Sequence, residues 1–214
     1  MNSRDYSPLD RLLIGVDQAV RTVFGRPQVT ERSNPANGLH DPPLEDAERE
    51  ESARLMRINH TGEVCAQALY QGQAVTARNE AVRDKLQQAA MEENDHLVWT
   101  ETRLKELGER TSLLNPLWYG GSFLIGATTG MLGDKWSLGF LAETEHQVVN
   151  HLQGHLQRLP QGDHRSRAIL RQMQEDEAQH KTTALHAGGR ELPAAVKKLM
   201  GLTSRIMTGT AYRI

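Results

Sequence analysis

Two short repeats constrain this chain more than any other feature. Glu93-Asn94-Asp95-His96 and Glu177-Ala178-Gln179-His180 each carry a glutamate and a histidine at i, i+3. In a helix those side chains sit one turn apart on the same face, where a carboxylate and an imidazole can grip one metal ion. One such pair is weak evidence, because Glu and His are ordinary helix-surface residues. Two pairs in two long helical segments, each with a lone glutamate upstream, are much stronger. Such faces must turn inward together, because buried carboxylates are too costly unless cations offset them.

The rest of the chain reads as helix. Ala, Leu, Glu, Gln and Arg dominate, aromatics are few and β-branched runs are short. Leu9 to Phe24 is predicted as an amphipathic helix with Leu12, Leu13, Val16, Val20 and Val23 on its apolar side. Gly25 to Pro43 is rich in breakers (Pro27, Asn34-Pro35, Asn37-Gly38, Pro42-Pro43) and reads as an irregular connection. Residues 1–44 are therefore expected as an extension, and 45–214 as the main domain. Four long helices follow, over Asp46–Thr76, Asn79–Leu107, Trp136–Leu159 and Arg165–His186. Their stops are Gly108, Pro160 and Gly188-Gly189. A last helix runs from Leu192 to about Tyr212, with Val196, Leu199, Leu202 and Ile206 on one side and Lys197, Lys198 and Arg205 nearby. Docking on the bundle and membrane contact are equally open readings of it.

Thr111 to Gly133 lies between the second and third long helices and contains no charged residue. It is about long enough to span a bilayer. Pro116, Gly120, Gly121, Gly126, Gly130 and Gly133 break up its hydrophobicity, which favours a buried crossover or a segment in the membrane interface over a spanning helix. Gly126-Ala127-Thr128-Thr129-Gly130 reads as a close helix contact.

The ligand pattern now completes itself. Glu63 in the first long helix precedes Glu93-x-x-His96, and Glu145 in the third precedes Glu177-x-x-His180. The halves are two copies of one design, the ligand set of ferritin-like di-iron and di-manganese carboxylate bundles. Mixed carboxylate and imidazole ligands suit iron, with manganese as the alternative. Leu141, Glu145, Val148, Leu152 and Leu159 share one stripe, which points Glu145 inward and leaves Glu143 on the polar side. Glu143 with His146 is then a chance Glu-x-x-His. Glu92 and Glu175 are read as solvated or as outer partners. His60, His151 and His155 are read as packing, surface or outer groups.

With these residues in hand, residues 55–214 resemble the demethoxyubiquinone hydroxylases. The resemblance rests on Arg57-Ile58-Asn59-His60-Thr61-Gly62-Glu63, the Glu93–His96 pair, Asn115-Pro116-Leu117-Trp118, Ala142-Glu143-Thr144-Glu145 and Glu175-Asp176-Glu177-Ala178-Gln179-His180. It implies an all-α, ferritin-like four-helix bundle with a hydrophobic crossover and N- and C-terminal accessory helices. It implies two Fe ions per chain on Glu63, Glu93, His96, Glu145, Glu177 and His180, with no further catalytic residue. The implied reaction is O2-dependent hydroxylation of the ring of 2-polyprenyl-3-methyl-6-methoxy-1,4-benzoquinol in ubiquinone biosynthesis. NADH or the quinol itself would supply electrons, although no Gly-x-Gly-x-x-Gly fingerprint is present. The implied setting is peripheral, on the cytoplasmic face of the cell (inner) membrane, with a homo-oligomer or other ubiquinone-biosynthesis proteins as further partners. Eukaryotic relatives have a tyrosine after the third-helix histidine; here Leu152 follows His151, so no role of that tyrosine carries over.

Composition separates the rivals. A net charge of −2 gives no electrostatic footprint for nucleic acid. The single Cys65 excludes an internal disulfide and a Cys-based zinc finger, and fits a reducing compartment. The N-terminal residues carry no signal-peptide core. The alternatives are another di-metal carboxylate bundle, a ferritin-like store or a peroxidase, and a non-enzymatic membrane-associated scaffold holding a structural metal.

Overall fold

The computed structural model describes residues 7–25, 27–30 and 32–214, with the side chains of Pro8, Leu9, Arg11 and Leu12 outside that description. The expected apolar role of Leu12 therefore lies outside it too. The described residues form seven helices and no strand: α1 Pro8–Phe24, α2 Asp46–Thr76, α3 Glu80–Glu106, α4 Asn115–Met131, α5 Asp134–Arg158, α6 His164–His186 and α7 Ala194–Ala211. Local chemistry sets their ends. Ser7 and Asp10 form a capping box on α1, and the Asn79 and Asp163 side chains accept backbone N–H groups at the starts of α3 and α6. After α3 the chain turns at Gly108 with φ +79°, a left-handed conformation that glycine adopts without strain.

Cross-links fix the topology. Gln73 Nε2, near the end of α2, donates to the Ser137 carbonyl near the start of α5 at 2.8 Å. At the opposite end His155 Nδ1 of α5 donates to Asn59 Oδ1 of α2 at 2.8 Å. Helices α2 and α5 are therefore antiparallel. The Arg78 and Asn79 amides both donate to Asp134, which brings the starts of α3 and α5 together. So α2, α3, α5 and α6 form a four-helix bundle with α3 and α5 running the same way, and the chain must cross the full length of the bundle between them.

Helix α4 makes that crossover. It runs along the C-terminal half of α2, from Thr61 to Thr76. The Thr61 hydroxyl donates to Asn115 Oδ1 at 3.0 Å at its start. A Cβ on Gly126 would lie 2.1 Å from the Leu69 carbonyl oxygen, and one on Gly130 would meet Gln73 and Thr76. The small-residue face thus permits backbone-to-backbone packing, as Gly126 and Gly130 predicted. The other face is apolar and exposed: Leu117 and Leu124 are each 66 % accessible, and Met131 is 59 % accessible. No helix among the described residues is long and apolar enough to cross a membrane.

The two accessory helices extend this surface. Helix α1 packs Ala19 and Val23 against a cluster of Val64, Ala68, Leu97 and Tyr119, while Leu13, Val16, Val20 and Phe24 face outward. Helix α7 leans on α2 and α5, with Leu199, Leu202 and Ile206 exposed. Inside the bundle one core cluster centres on Leu55, Met56, Leu104, Leu152, Leu170 and Met173. A second holds Tyr70, Leu86, Leu138, Leu141 and Ala184. Polar side chains occupy the layer between them.

Candidate metal centre

That layer contains all six residues singled out from the sequence. One ligand atom each from Glu63, Glu93, His96 and Glu177 lies within 4.8 Å of the others, and the same holds for Glu93, Glu145, Glu177 and His180. All six residues are buried. Glu93 and Glu177 belong to both groups, whereas Glu63 and Glu145 each belong to one. The arrangement is two-fold: a lone glutamate from α2 or α5, an imidazole from α3 or α6, and two shared carboxylates between.

The imidazoles are oriented alike. His96 Nδ1 lies 3.0 Å from Glu93, 3.2 Å from Glu177 and 3.5 Å from Glu63. His180 Nδ1 lies 3.1 Å from Glu177 and 3.3 Å from Glu93. On the outer side His96 Nε2 donates to Asp176 Oδ2 at 2.9 Å, and His180 Nε2 donates to Glu92 Oε2 at 2.7 Å. With Nε2 committed outward, loss of the other ring proton to a bound cation would leave the Nδ1 lone pair facing inward, as a metal-binding histidine requires. Glu92 and Asp176 each immediately precede a shared glutamate, Glu93 and Glu177. The outer carboxylates therefore follow the same internal repeat as the ligands. Sequence reasoning named Glu92 in this role but picked Glu175 where Asp176 serves, although the matching offset was there to read.

The electrostatics show what the cluster suits. Burial pushes the Glu63 carboxyl well above the ordinary carboxylate range, reinforced by Glu93, and does the same to Glu145, reinforced by Glu177. Burial opposes ionisation of Glu93 as well, but His96 and His180 hold it below its ordinary value. His96 rises despite burial because Glu93 and its neighbours surround it, and His180 rises for the same kind of reason. Both oxygens of the buried Glu145 lack a hydrogen-bond partner. Four buried carboxylates around two inward imidazole nitrogens, with unpartnered oxygens among them, fit a pair of divalent cations.

Helix α5 places its two glutamates differently, as the stripe argument predicts. Glu145 points inward, whereas Glu143 Oε2 lies 3.4 Å from Lys197 of α7 and Glu143 Oε1 accepts from Gln147. His146 meets Asn150 and Lys181 near the surface, away from the cluster. His60 and His155 are buried packing groups, and His155 is held by Asn59.

One cavity, about 310 Å3 in volume, reaches this layer. Glu63, Glu145 and Glu177 form its inner end; His96 and His180 do not line it. Apolar side chains of α2, α4, α5 and α7 form its walls, among them Leu69, Ile125, Phe140, Val148, Leu199 and Met207. The cavity thus approaches from the lone-glutamate side, and its walls include α4 and α7, two of the helices that carry exposed apolar residues.

The family model for ubiquinone biosynthesis protein COQ7 matches residues 50–211, leaving residues 1–49 outside it. A 3-demethoxyubiquinol 3-hydroxylase from Nitrosococcus oceani is 59% identical over 214 residues, covering 100% of both chains. One from Nitrosospira multiformis is 61% identical over 204 residues, 95% of this chain and 98% of that protein. One from Stutzerimonas stutzeri is 55% identical over 213 residues, 100% of this chain and 99% of that protein.

Proposed function

The chain belongs to the COQ7 family of ubiquinone biosynthesis proteins, and on that premise we infer that it is a 3-demethoxyubiquinol 3-hydroxylase working through a buried two-metal site. We assign the chemistry to residues 45–214, with 1–44 as an extension. The observation that carries the reading is the junction of an apolar cavity with a cluster of four carboxylates and two imidazoles. A metal store has no need of a greasy channel, and a lipid-binding scaffold has no need of six buried ligands.

In this reading Glu63 and His96 would hold one ion and Glu145 and His180 the other, with Glu93 and Glu177 available to both. Iron is the proposed metal, since its redox chemistry would supply O2 activation there. The protein's own part is positioning and exclusion. The benzoquinol ring enters from the lone-glutamate side, with its reacting edge toward Glu63 and Glu145. Leu69, Ile125, Phe140 and Val148 exclude water around it, which protects reactive oxygen species from solvent. The polyprenyl tail leaves between α4 and α7. NADH or the quinol is the proposed reductant.

The exposed apolar residues of α1, α4 and α7 support peripheral attachment to the cytoplasmic face of the cell membrane, with the cavity mouth against lipid. Each alone is ordinary; together, on three helices of which α4 and α7 also line the cavity, they make a lipid-docking surface the reading that fits. Phe123 is half-buried against the cluster of Val64, Ala68, Leu97 and Tyr119, so the informative substitutions are Leu117, Leu124 and Ile125 to serine. Unchanged co-sedimentation of that variant with anionic liposomes would defeat the attachment.

The reaction is tested by incubating iron-loaded protein with demethoxyquinol, reductant and 18O2, then reading the quinones by mass spectrometry. One 18O atom is expected in the hydroxylated ring. An unlabelled product, or none, would overturn the assignment. As a companion, Glu177→Ala should abolish turnover while circular dichroism stays helical.

A further inference from the structure

The segment between α1 and α2, expected as an irregular connection, lies against the metal layer. The Thr30 backbone N–H donates to Asp95 Oδ1 at 2.8 Å, and the Thr30 hydroxyl bonds the other oxygen of the same carboxylate. Asp95 is buried and adjoins His96. Two residues on, Arg32 donates to Asp176 Oδ2 at 2.6 Å, and its guanidinium lies 5.1 Å from the centre of the Trp99 ring. Trp99 in turn lies 5.4 Å from the His96 ring. Further along, Asp41 is tied to Arg103 at 2.6 Å and to the Arg165 amide at 3.0 Å. The segment is a strap that joins α3 to α6 on the side away from the cavity.

Its contacts break the two-fold symmetry of the site. The Asp176 oxygen that Arg32 binds is the one that accepts from His96 Nε2, and Gln172 holds the other oxygen at 3.0 Å. The equivalent carboxylate on the other half, Glu92, meets no arginine or lysine among the described residues. Its second oxygen accepts from Gln88, at 3.2 Å, and its side chain is 30% exposed against 13% for Asp176.

We propose that Arg32 is a positioning residue for the metal held at His96. It acts through Asp176, so that the His96 position is the more slowly exchanging of two inequivalent positions. The inference rests on the two-metal reading above. Its physical basis is that a histidine ligand's outer partner fixes ring direction and raises ligand basicity, and that losing such a partner weakens metal binding by about 10- to 100-fold. A carboxylate pinned by a guanidinium and an amide holds the ring harder than one half open to water. Arg32 itself is a third exposed, and an exposed ion pair contributes little to folding. The signature is therefore in metal retention, not in stability.

The test uses the full chain loaded anaerobically with ferrous iron and challenged with the chelator ferrozine. Wild-type protein should release about two irons per chain in two phases of equal amplitude. Arg32→Ala, which loosens the outer partner without removing it, should accelerate the slow phase severalfold, short of the about 10- to 100-fold that loss of the partner itself brings, and leave the fast one alone. Glu92→Gln should accelerate only the fast phase. Arg32→Lys, which keeps the charge, should recover part of the slow phase. The melting temperature of the metal-free Arg32→Ala protein should match wild type. Release from Arg32→Ala at wild-type rates overturns the inference, as does equal acceleration of both phases with a lower metal-free melting temperature. Loading of clearly fewer than two irons by wild type instead refutes the two-metal reading, and the inference with it.

Discussion

Replacing Gly126 by alanine tests whether α4 is held by backbone contact with α2. The new Cβ would sit 2.1 Å from the Leu69 carbonyl oxygen and 2.9 Å from its carbon. Ordinary contact begins near 3.4 Å, so the helices must separate by about 1.3 Å at this point. No side-chain rotation relieves the overlap, because the obstructing atoms are backbone. Overpacking of this kind costs about 3 kcal/mol at the upper end of its usual range. Alanine in place of glycine within a helix returns about 1 kcal/mol. The net loss is about 2 kcal/mol, or about 4–8 °C in melting temperature for a chain this size. Gly120 and Gly121 lie in the same helix with nothing within 4 Å of the added Cβ. Alanine there should stabilise by up to about 1 kcal/mol. Urea midpoints of the three variants give the assay, and the sign must reverse along one helix. Gly126→Ala as stable as Gly120→Ala would refute backbone packing as the reason for these glycines.

Two further outcomes follow from the site. Glu145→Ala should lower bound iron from about two per chain toward one, whereas Glu143→Ala should leave the stoichiometry alone because Glu143 faces Lys197; the reverse pattern by metal analysis would exchange their roles. Acid should weaken the fold through the buried histidines. Burial holds His60 and His151 down at about 4 and His155 at about 2, with Arg158 adding to the effect on the last two. Each folded value lies below that of the unfolded chain, near 6.5, so the unfolded state takes up more protons below that pH. Stability is complete above about pH 6.5 and falls as the pH drops toward 4, by up to about 1.4 kcal/mol per pH unit for each histidine. Urea midpoints at pH 7.5 and 5.5 measure the slope, and His155→Gln should flatten it; an unchanged slope would show that His155 does not titrate with unfolding.

The bundle was legible because its helices are long and punctuated. Asp46–Thr76 matches α2 to the residue: Pro43 lies just before its start, and the backbone turns extended at Ala77. The buried Glu/His cluster was legible because the design is written twice, and the stripe through Leu141, Val148 and Leu152 then turns Glu145 inward. What could not be read is what depends on residues far apart. Thr30 and Arg32 sit among prolines and polar residues with no periodicity, and their partners Asp95 and Asp176 are 65 and 144 positions away. Nor does any local pattern show that α7 lies across the cavity mouth. Its apolar positions serve equally for docking and for exposure, and the structure uses Val196 and Met200 for the cavity while Leu202 and Ile206 face outward.

Duplication supplies the proposed ligands, and departures from it give the site a direction. Helices α3 and α6 each carry two of the proposed ligands, and their histidines are backed by the outer carboxylates Glu92 and Asp176. Helices α2 and α5 each carry one glutamate, and beside Glu63 the α2 face is cut back to Gly62 and Ala66, both lining the cavity. Room for an organic ring therefore exists only where a helix contributes a single ligand. Gly62 makes this testable, because a Cβ added there meets nothing within 4 Å and has no φ constraint. Gly62→Leu should fill part of the 310 Å3 cavity without displacing backbone. The fold should hold or gain slightly from the better helix former. Iron loading should stay at about two per chain, while kcat/KM for the quinol falls at least about tenfold, equivalent to about 1.4 kcal/mol of lost transition-state binding. Full activity in a two-iron Gly62→Leu protein would show that the substrate reaches the metals by another face, and the direction assigned to the site would be wrong.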